Sequence, residues 1–392
     1  MKASAFLYPW DVVGDPRAAE RVASLGVRQV TLASAYHSTR ALTPRHPRHR
    51  IVTARHAAVL YPPGPRWKDR ALAPYRQDWV AGDDPFGEAA GALVDAGLEV
   101  HSWVVLAHNS RLGDEHPATS VVNAYGDRYP WAPCVARPEI REYLSDLAAE
   151  AAVRPGTRGT ELESLGWYGL AHLHAHDKIA GVGLGGAAQY LMSLCFCEAC
   201  RAGYADEGLD PAALGEAVRG ALDPVFAGRP VPPGDEWAGV ERLLGAERAA
   251  ATLRFRTRVA RELQEACIDA VRVAADPGFQ VLLHADPAAH RCGANAGVDP
   301  AHILGEADGL VLPCTGDDPA REAVLAPCAA HRRPDSVLAA NFAVVSGMGG
   351  RPATLAADMA HAASLGATEV RLYHAGLASD ADLALVRRAL TG

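Results

Sequence analysis

Two glutamates, Glu161 and Glu163, stand two residues apart in the short run Thr160-Glu161-Leu162-Glu163-Ser164-Leu165, which breaks at Gly166. In an extended strand both side chains point to one face, with Glu163 nearer the strand's end. A carboxyl group buried among apolar neighbours is driven toward its protonated form, which a general acid needs. The other reading of either residue is a structural carboxylate paired with arginine. Trp167 and Tyr168 follow at once, then His172, His174 and His176 at every second position, and then Cys195, Cys197 and Cys200. The histidines read as the lining of a polar pocket, with a metal site as the alternative. The three thiols can coordinate one Zn²⁺ with a fourth ligand such as Cys134, a closed structural site; buried free cysteines are the alternative.

Cleavage of a glycosidic bond needs a second carboxylate opposite the acid, because the oxocarbenium-like transition state must be met from both sides. Asp286, in His284-Ala285-Asp286-Pro287, is the best placed for base or nucleophile. Its other reading is the N-cap of a following helix. Asp11, Asp317 and Asp318 are further candidates, and Asn341 can bind a hydroxyl but cannot attack. Aromatic and imidazole residues gather at other strand ends: Tyr8, Trp10, Tyr36, His37, His101, Trp103, His108, Asn109, Tyr373 and His374. Flat rings and hydrogen-bonding side chains in one place favour a polar, ring-shaped ligand.

The elements that must position these residues follow from periodicity. Eight apolar runs alternate with helical patterns: Ala5–Tyr8, Gln29–Ala33, Glu99–Leu106, Glu161–Leu165, Gln280–His284, Gly309–Pro313, Val337–Asn341 and Glu369–Tyr373. The helical stretches ending at Gly26, Gly97 and Gly366 each stop on glycine and lead directly into a strand. That alternation predicts a parallel sheet with right-handed crossovers, closed as a single (β/α)8 TIM barrel over residues 1–392. No Gly-x-Gly-x-x-Gly follows the first strand, so a dinucleotide-binding sheet loses its main support. Two long βα insertions are expected, one over about 38–79 after strand two and one after strand four. The second carries helices near 199–207, 211–225 and 236–276, a helical insertion of about 199–276. Both would stand on the face where such barrels keep their chemistry.

Composition narrows the class. The 392 residues are 49% hydrophobic and 21% charged, with a net charge of −8, so no basic field is offered to nucleic acid or an anionic membrane. The one basic run, Arg45 to Arg50, reads as a solvated loop. No apolar stretch approaches a membrane span and no signal peptide is evident, so a cytoplasmic chain with reduced cysteines is expected. No motif of a serine hydrolase, P-loop NTPase or zincin is present, and nothing specifies an oligomer.

The segment Ser193-Leu-Cys195-Phe-Cys197-Glu-Ala-Cys200-Arg201, followed by Gly208-Leu-Asp-Pro211, resembles the cysteine segment after the fourth strand of TIM-barrel glycoside hydrolases. It is similar to uncharacterised bacterial glycosidase-like barrels, and family 42 β-galactosidases carry a like cluster that holds zinc. The resemblance implies a general acid at the end of strand four, which falls on Glu163. It departs at two points: that acid follows Asn in the family and Leu162 here, and the family's strand-seven glutamate is Asn341 here. The reading is a glycoside hydrolase acting on a small carbohydrate, with no cofactor required for catalysis and a structural zinc. Glu163 and Asp286 act on the bond, while Trp10, Asp11, Tyr36, His37, Trp103, His108, Asn109, Glu161, Trp167, Tyr168, His174, His284, Asn341, Tyr373 and His374 shape the sugar site. Two rivals stand beside it: a sugar isomerase or epimerase holding a divalent ion with Glu163, His284 and Asp286, and a non-catalytic barrel that binds a glycan or a protein.

Overall fold

The computed structural model describes every residue except 172–176, 230, 232 and 233, so the three histidines at 172, 174 and 176 lie outside the described residues. Eight parallel strands form a closed ring: β1 (Lys2–Leu7), β2 (Gln29–Tyr36), β3 (Glu99–Val105), β4 (Thr157–Glu163), β5 (Gln280–Asp286), β6 (Gly309–Pro313), β7 (Val337–Ala343) and β8 (Glu369–Tyr373). Each pairs with the next, and β8 closes on β1 through Lys2↔Glu369 and Ala5↔Leu372. All eight strands expected from the sequence are present, and the fold is the (β/α)8 barrel.

The period of two divides each strand between two cores. Leu7, Val30, Leu32, Val104, Leu162, Leu283, Leu310 and Leu372 face outward against the helices. Inward, Leu282, Val311, Val337 and Ala339 form one apolar patch, while Phe6, Tyr8, Ala33, Trp103 and Val105 form an aromatic one. A polar layer, Ser4–Thr31–Glu161, also crosses the interior. Gly159 on β4 has no room for a side chain: a Cβ there would stand 2.6 Å from the His101 ring and 2.7 Å from the Gln280 carbonyl. Glycine thus lets His101 lie flat across the barrel floor.

The insertions differ from expectation in three ways. After β2 the chain makes a hairpin, Thr39–Leu42 against Ile51–Ala54, then adds Ala58–Val59 antiparallel to the end of β2. The basic run between the hairpin strands is solvated only in part: Arg48 and Arg50 are exposed, but His46 is buried. Arg45 donates from Nη2 to the carbonyls of Ala375 (2.7 Å) and Gly376 (3.2 Å) and from Nη1 to that of Ala378, tying this insertion to the loop after β8. After β3 stands an unexpected excursion: a helix at Ser110–Glu115 and a second hairpin, Ser120–Val122 with Arg128–Pro133, before the helix Pro138–Ala152. After β4 come helices Gly185–Met192, Glu198–Asp206, Pro211–Phe226, Glu236–Leu244 and Ala246–Ala274. The single helix expected over 236–276 is broken at Gly245, whose φ of +80° glycine adopts without strain. An open cleft of about 1030 Å³ lies at the opposite, N-terminal end of the barrel, lined by residues including Lys2, Glu99, Arg154 and Gln280. Among the described residues no helix is long and apolar enough to cross a membrane.

Candidate active site

The two glutamates of β4 share a face and have opposite environments. Glu161 is fully buried, and its Oε1 accepts from Arg371 Nε (2.5 Å) and Thr31 Oγ1 (3.0 Å). Burial alone would raise its pKa, but the Arg371 guanidinium, followed by His284, overcomes this and holds it at about 2. This is the arginine-paired alternative. Arg371 also meets Glu369 at 2.7 Å. The sequence reading did not single out Arg371, although two charged residues at alternate positions of an apolar strand, Glu369 and Arg371, marked an interior polar layer.

Glu163 stands one layer nearer the mouth. Its Oε2 accepts from Trp103 Nε1 at 2.8 Å, and among the described residues its one basic partner within ion-pair range is His284, Nδ1 at 3.9 Å. Burial raises its pKa, opposed by His284 and Trp103 and reinforced by the charge on Glu161. A shift toward the protonated form favours the state from which an acid donates.

Rings form a continuous wall around it. Tyr8 stacks between Trp10 (4.3 Å) and His374 (4.2 Å), and its hydroxyl donates to Tyr36 Oη at 3.0 Å. Tyr36 carries His37 at 4.2 Å, His37 meets His108 at 4.6 Å, and His108 stacks on Tyr168 at 4.5 Å. The stack runs from β1 and β8 round to the loop after β4. Burial pushes the phenols of Tyr8, Tyr36, Tyr168 and Tyr373 up, so all four remain neutral. Burial also lowers His374 to about 3, leaving a neutral imidazole. Among the described residues neither of its ring nitrogens has a hydrogen-bond partner, nor do the buried atoms Trp10 Nε1 and Asn341 Oδ1. Such groups are costly unless something pairs with them.

Several expected residues serve the scaffold. Asn109 caps the Ser110–Glu115 helix through Oδ1 from Leu112 N (3.0 Å), and Trp167 Nε1 donates to the Arg256 carbonyl (2.8 Å) beneath the Arg256 guanidinium. Asp317 caps Asp318–Ala329 by accepting from Ala320 N. Asp286 ends β5 on the same face as His284, but no helix follows it; its Oδ1 accepts from Ala288 N in a tight turn (2.8 Å) and its Oδ2 lies 3.3 Å from Arg291 Nε. Asp11 accepts from Tyr8 N (2.8 Å), and its carboxylate lies against Gly376 in a small cavity between β1 and the outer helices. Burial raises it to about 7.

The four cysteines come together. Cys134, at the end of the unexpected hairpin, places Sγ 3.6 Å from Cys197 and 3.5 Å from Cys200, and the four sulfurs with Cys195 lie within 4.8 Å of one another. Zn–S bonds of about 2.3 Å in a tetrahedron put sulfurs about 3.8 Å apart, so the donor set and its spacing fit that ion. The backbone N–H groups of Val122 (3.4 Å) and Cys197 (3.5 Å) aim at Cys195 Sγ, as thiolate acceptors require. The neighbouring sulfurs pull the Cys197 thiol down and push Cys134 up, since four crowded thiols cannot all ionise without a cation. Among the described residues this is the one group of three or more His, Cys, Asp or Glu side chains close enough for a common ion; Glu163, His284 and Asp286 do not form another.

No protein-family model matches the sequence, and a search of curated proteins finds no relative. Solved structures do match. The α-L-fucosidase isoenzyme 2 from Paenibacillus thiaminolyticus aligns over 100% of this chain and 49% of its own, at 13% identity and a TM-score of 0.57. The PgaB (BpsB) glycoside hydrolase domain from Bordetella bronchiseptica aligns over 100% and 99%, at 15% and 0.53. The GH42 β-galactosidase Gan42B from G. stearothermophilus aligns over 100% and 56%, at 13% and 0.55. The chain thus spans about half the length of the fucosidase and the β-galactosidase. At these identities the likeness is one of fold: the chain shares the TIM barrel of these glycoside hydrolases.

Proposed function

We propose that the chain is a glycoside hydrolase acting on a small carbohydrate or glycoside, with Glu163 as general acid. One observation carries this reading: at the mouth of β4 a buried carboxyl has no arginine or lysine partner among the described residues and is shifted toward its protonated form by that burial. The wall of rings supports it, because a pyranose presents apolar faces to stack and hydroxyls to pair with His374 and Asn341. Asp286, held beside Arg291, serves as base or nucleophile. The three structures that share its fold are a fucosidase, a glycoside hydrolase domain and a β-galactosidase, which agrees with this class. Cys134, Cys195, Cys197 and Cys200 hold one zinc ion, which cross-links the loops after β3 and β4.

The test is Glu163→Gln and Asp286→Asn on a panel of aryl glycosides. Each should lose at least ~10³ in kcat, about 4 kcal/mol of barrier. Unchanged turnover in Glu163→Gln sinks the assignment.

A further inference from the structure

His284 is a buried titratable group that acid catalysis by Glu163 does not by itself require. It projects into the barrel from β5 with its ring edge-on to Phe6 of β1 at 5.7 Å. Its two nitrogens face two different carboxylates of β4: Nε2 lies 3.4 Å from Glu161 Oε2, and Nδ1 lies 3.9 Å from Glu163 Oε2. Glu161 is held as an anion by Arg371; its Oε2 and His284 Nε2 face one another at 3.4 Å, and among the described residues neither has a hydrogen-bond partner, so that oxygen is free to accept. The tautomer that suits an acceptor at that position carries its proton on Nε2 and turns the Nδ1 lone pair toward Glu163.

The remaining surroundings leave that choice intact. Trp103 from β3 donates to Glu163 Oε2, and the neutral phenols of Tyr8, Tyr36, Tyr168 and Tyr373 add no charge. His101, also from β3, is tied to Glu99 at 3.0 Å. Leu282 and Val311 are apolar.

We infer that His284 is the positioning residue of Glu163: Glu161 fixes its Nε2–H tautomer, and Nδ1 returns to Glu163 the proton lost in each turnover. The inference rests on the glycosidase reading. In cleavage Glu163 gives its proton to the glycosidic oxygen as the C–O bond breaks, and the water that attacks the sugar releases one. Asp286 as base takes that proton and gives it up to solvent, while Nδ1 takes one from solvent and passes it to the Glu163 carboxylate, so all three residues end as they began. The separation of 3.9 Å is longer than a hydrogen bond, as catalytic contacts often are before substrate binds.

His284→Gln keeps an N–H for Glu161 but has no base facing Glu163. On an alkyl glycoside its kcat should fall by about 10²-fold with KM nearly unchanged. On a dinitrophenyl glycoside, whose leaving group needs no proton, kcat should change little. Equal losses on both substrates would mark a purely structural role and overturn the inference. Nitrogen-15 NMR of the imidazole in the wild-type protein gives a second reading that needs no turnover. It should show Nε2 protonated and Nδ1 bare, with the preference lost in Glu161→Gln; a wild-type Nδ1–H tautomer overturns the inference. The expected tautomer in a protein that cleaves no glycoside would instead count against the glycosidase reading alone.

Discussion

Glu161 and Glu163 show how two identical side chains, one layer apart on a strand, acquire different chemistry. Arg371 makes the deeper one a permanent anion; the lack of such a cation leaves the outer one able to hold a proton. Glu161→Gln should therefore act on stability, because it strands the fully buried Arg371 guanidinium. A loss of about 3–5 kcal/mol in chemical denaturation at pH 7 is expected. The gap between wild type and variant should narrow as pH falls from about 4.3 toward 2, where the native carboxylate itself takes a proton. Asp11 works in the opposite sense. Its native pKa of about 7 means that the unfolded chain releases this proton near pH 4 while the folded chain keeps it, so folding loses stability between the two. Asp11→Asn keeps an acceptor for the Tyr8 N–H. It should gain on the wild type as pH rises from 4 to 7, by up to roughly 1.4 kcal/mol per pH unit, read as a difference in melting temperature across that range.

At the scale of elements, the cysteine cluster joins a hairpin end to the N-terminus of Glu198–Asp206. Purified protein should contain one zinc per chain by elemental analysis. Cys200→Ala should lose the metal and melt at a lower temperature, by a few kcal/mol, while Glu163 chemistry persists below the new melting point. Finding no metal in the wild-type protein would remove the proposal. The thiols were legible in the sequence because four-coordinate zinc asks for a fourth thiol. The hairpin that delivers Cys134 was not, because strands as short as Ser120–Val122 are too brief to display a period of two. The break at Gly245 was hidden for a related reason: Ala, Glu and Arg run on both sides of it with high helix propensity.

At the scale of the whole molecule, the ring of strands could be read because each αβ unit announces itself locally, through an apolar run and a glycine stop. What joins the ring across its interior could not. Arg371 and Glu161 are separated by 210 residues, and only barrel closure makes them neighbours. The same holds for Arg45 and the carbonyls after β8. The cysteine cluster differs, since all four of its ligands precede β5. A growing chain therefore has a complete thiolate set while half of the barrel has yet to be synthesised. The proposed zinc, captured at that stage, would pin the loops of β3 and β4 together before the remaining strands emerge. With the proposed zinc, the cluster would act as a timing device, giving an unfinished barrel a fixed half against which the last four strands close.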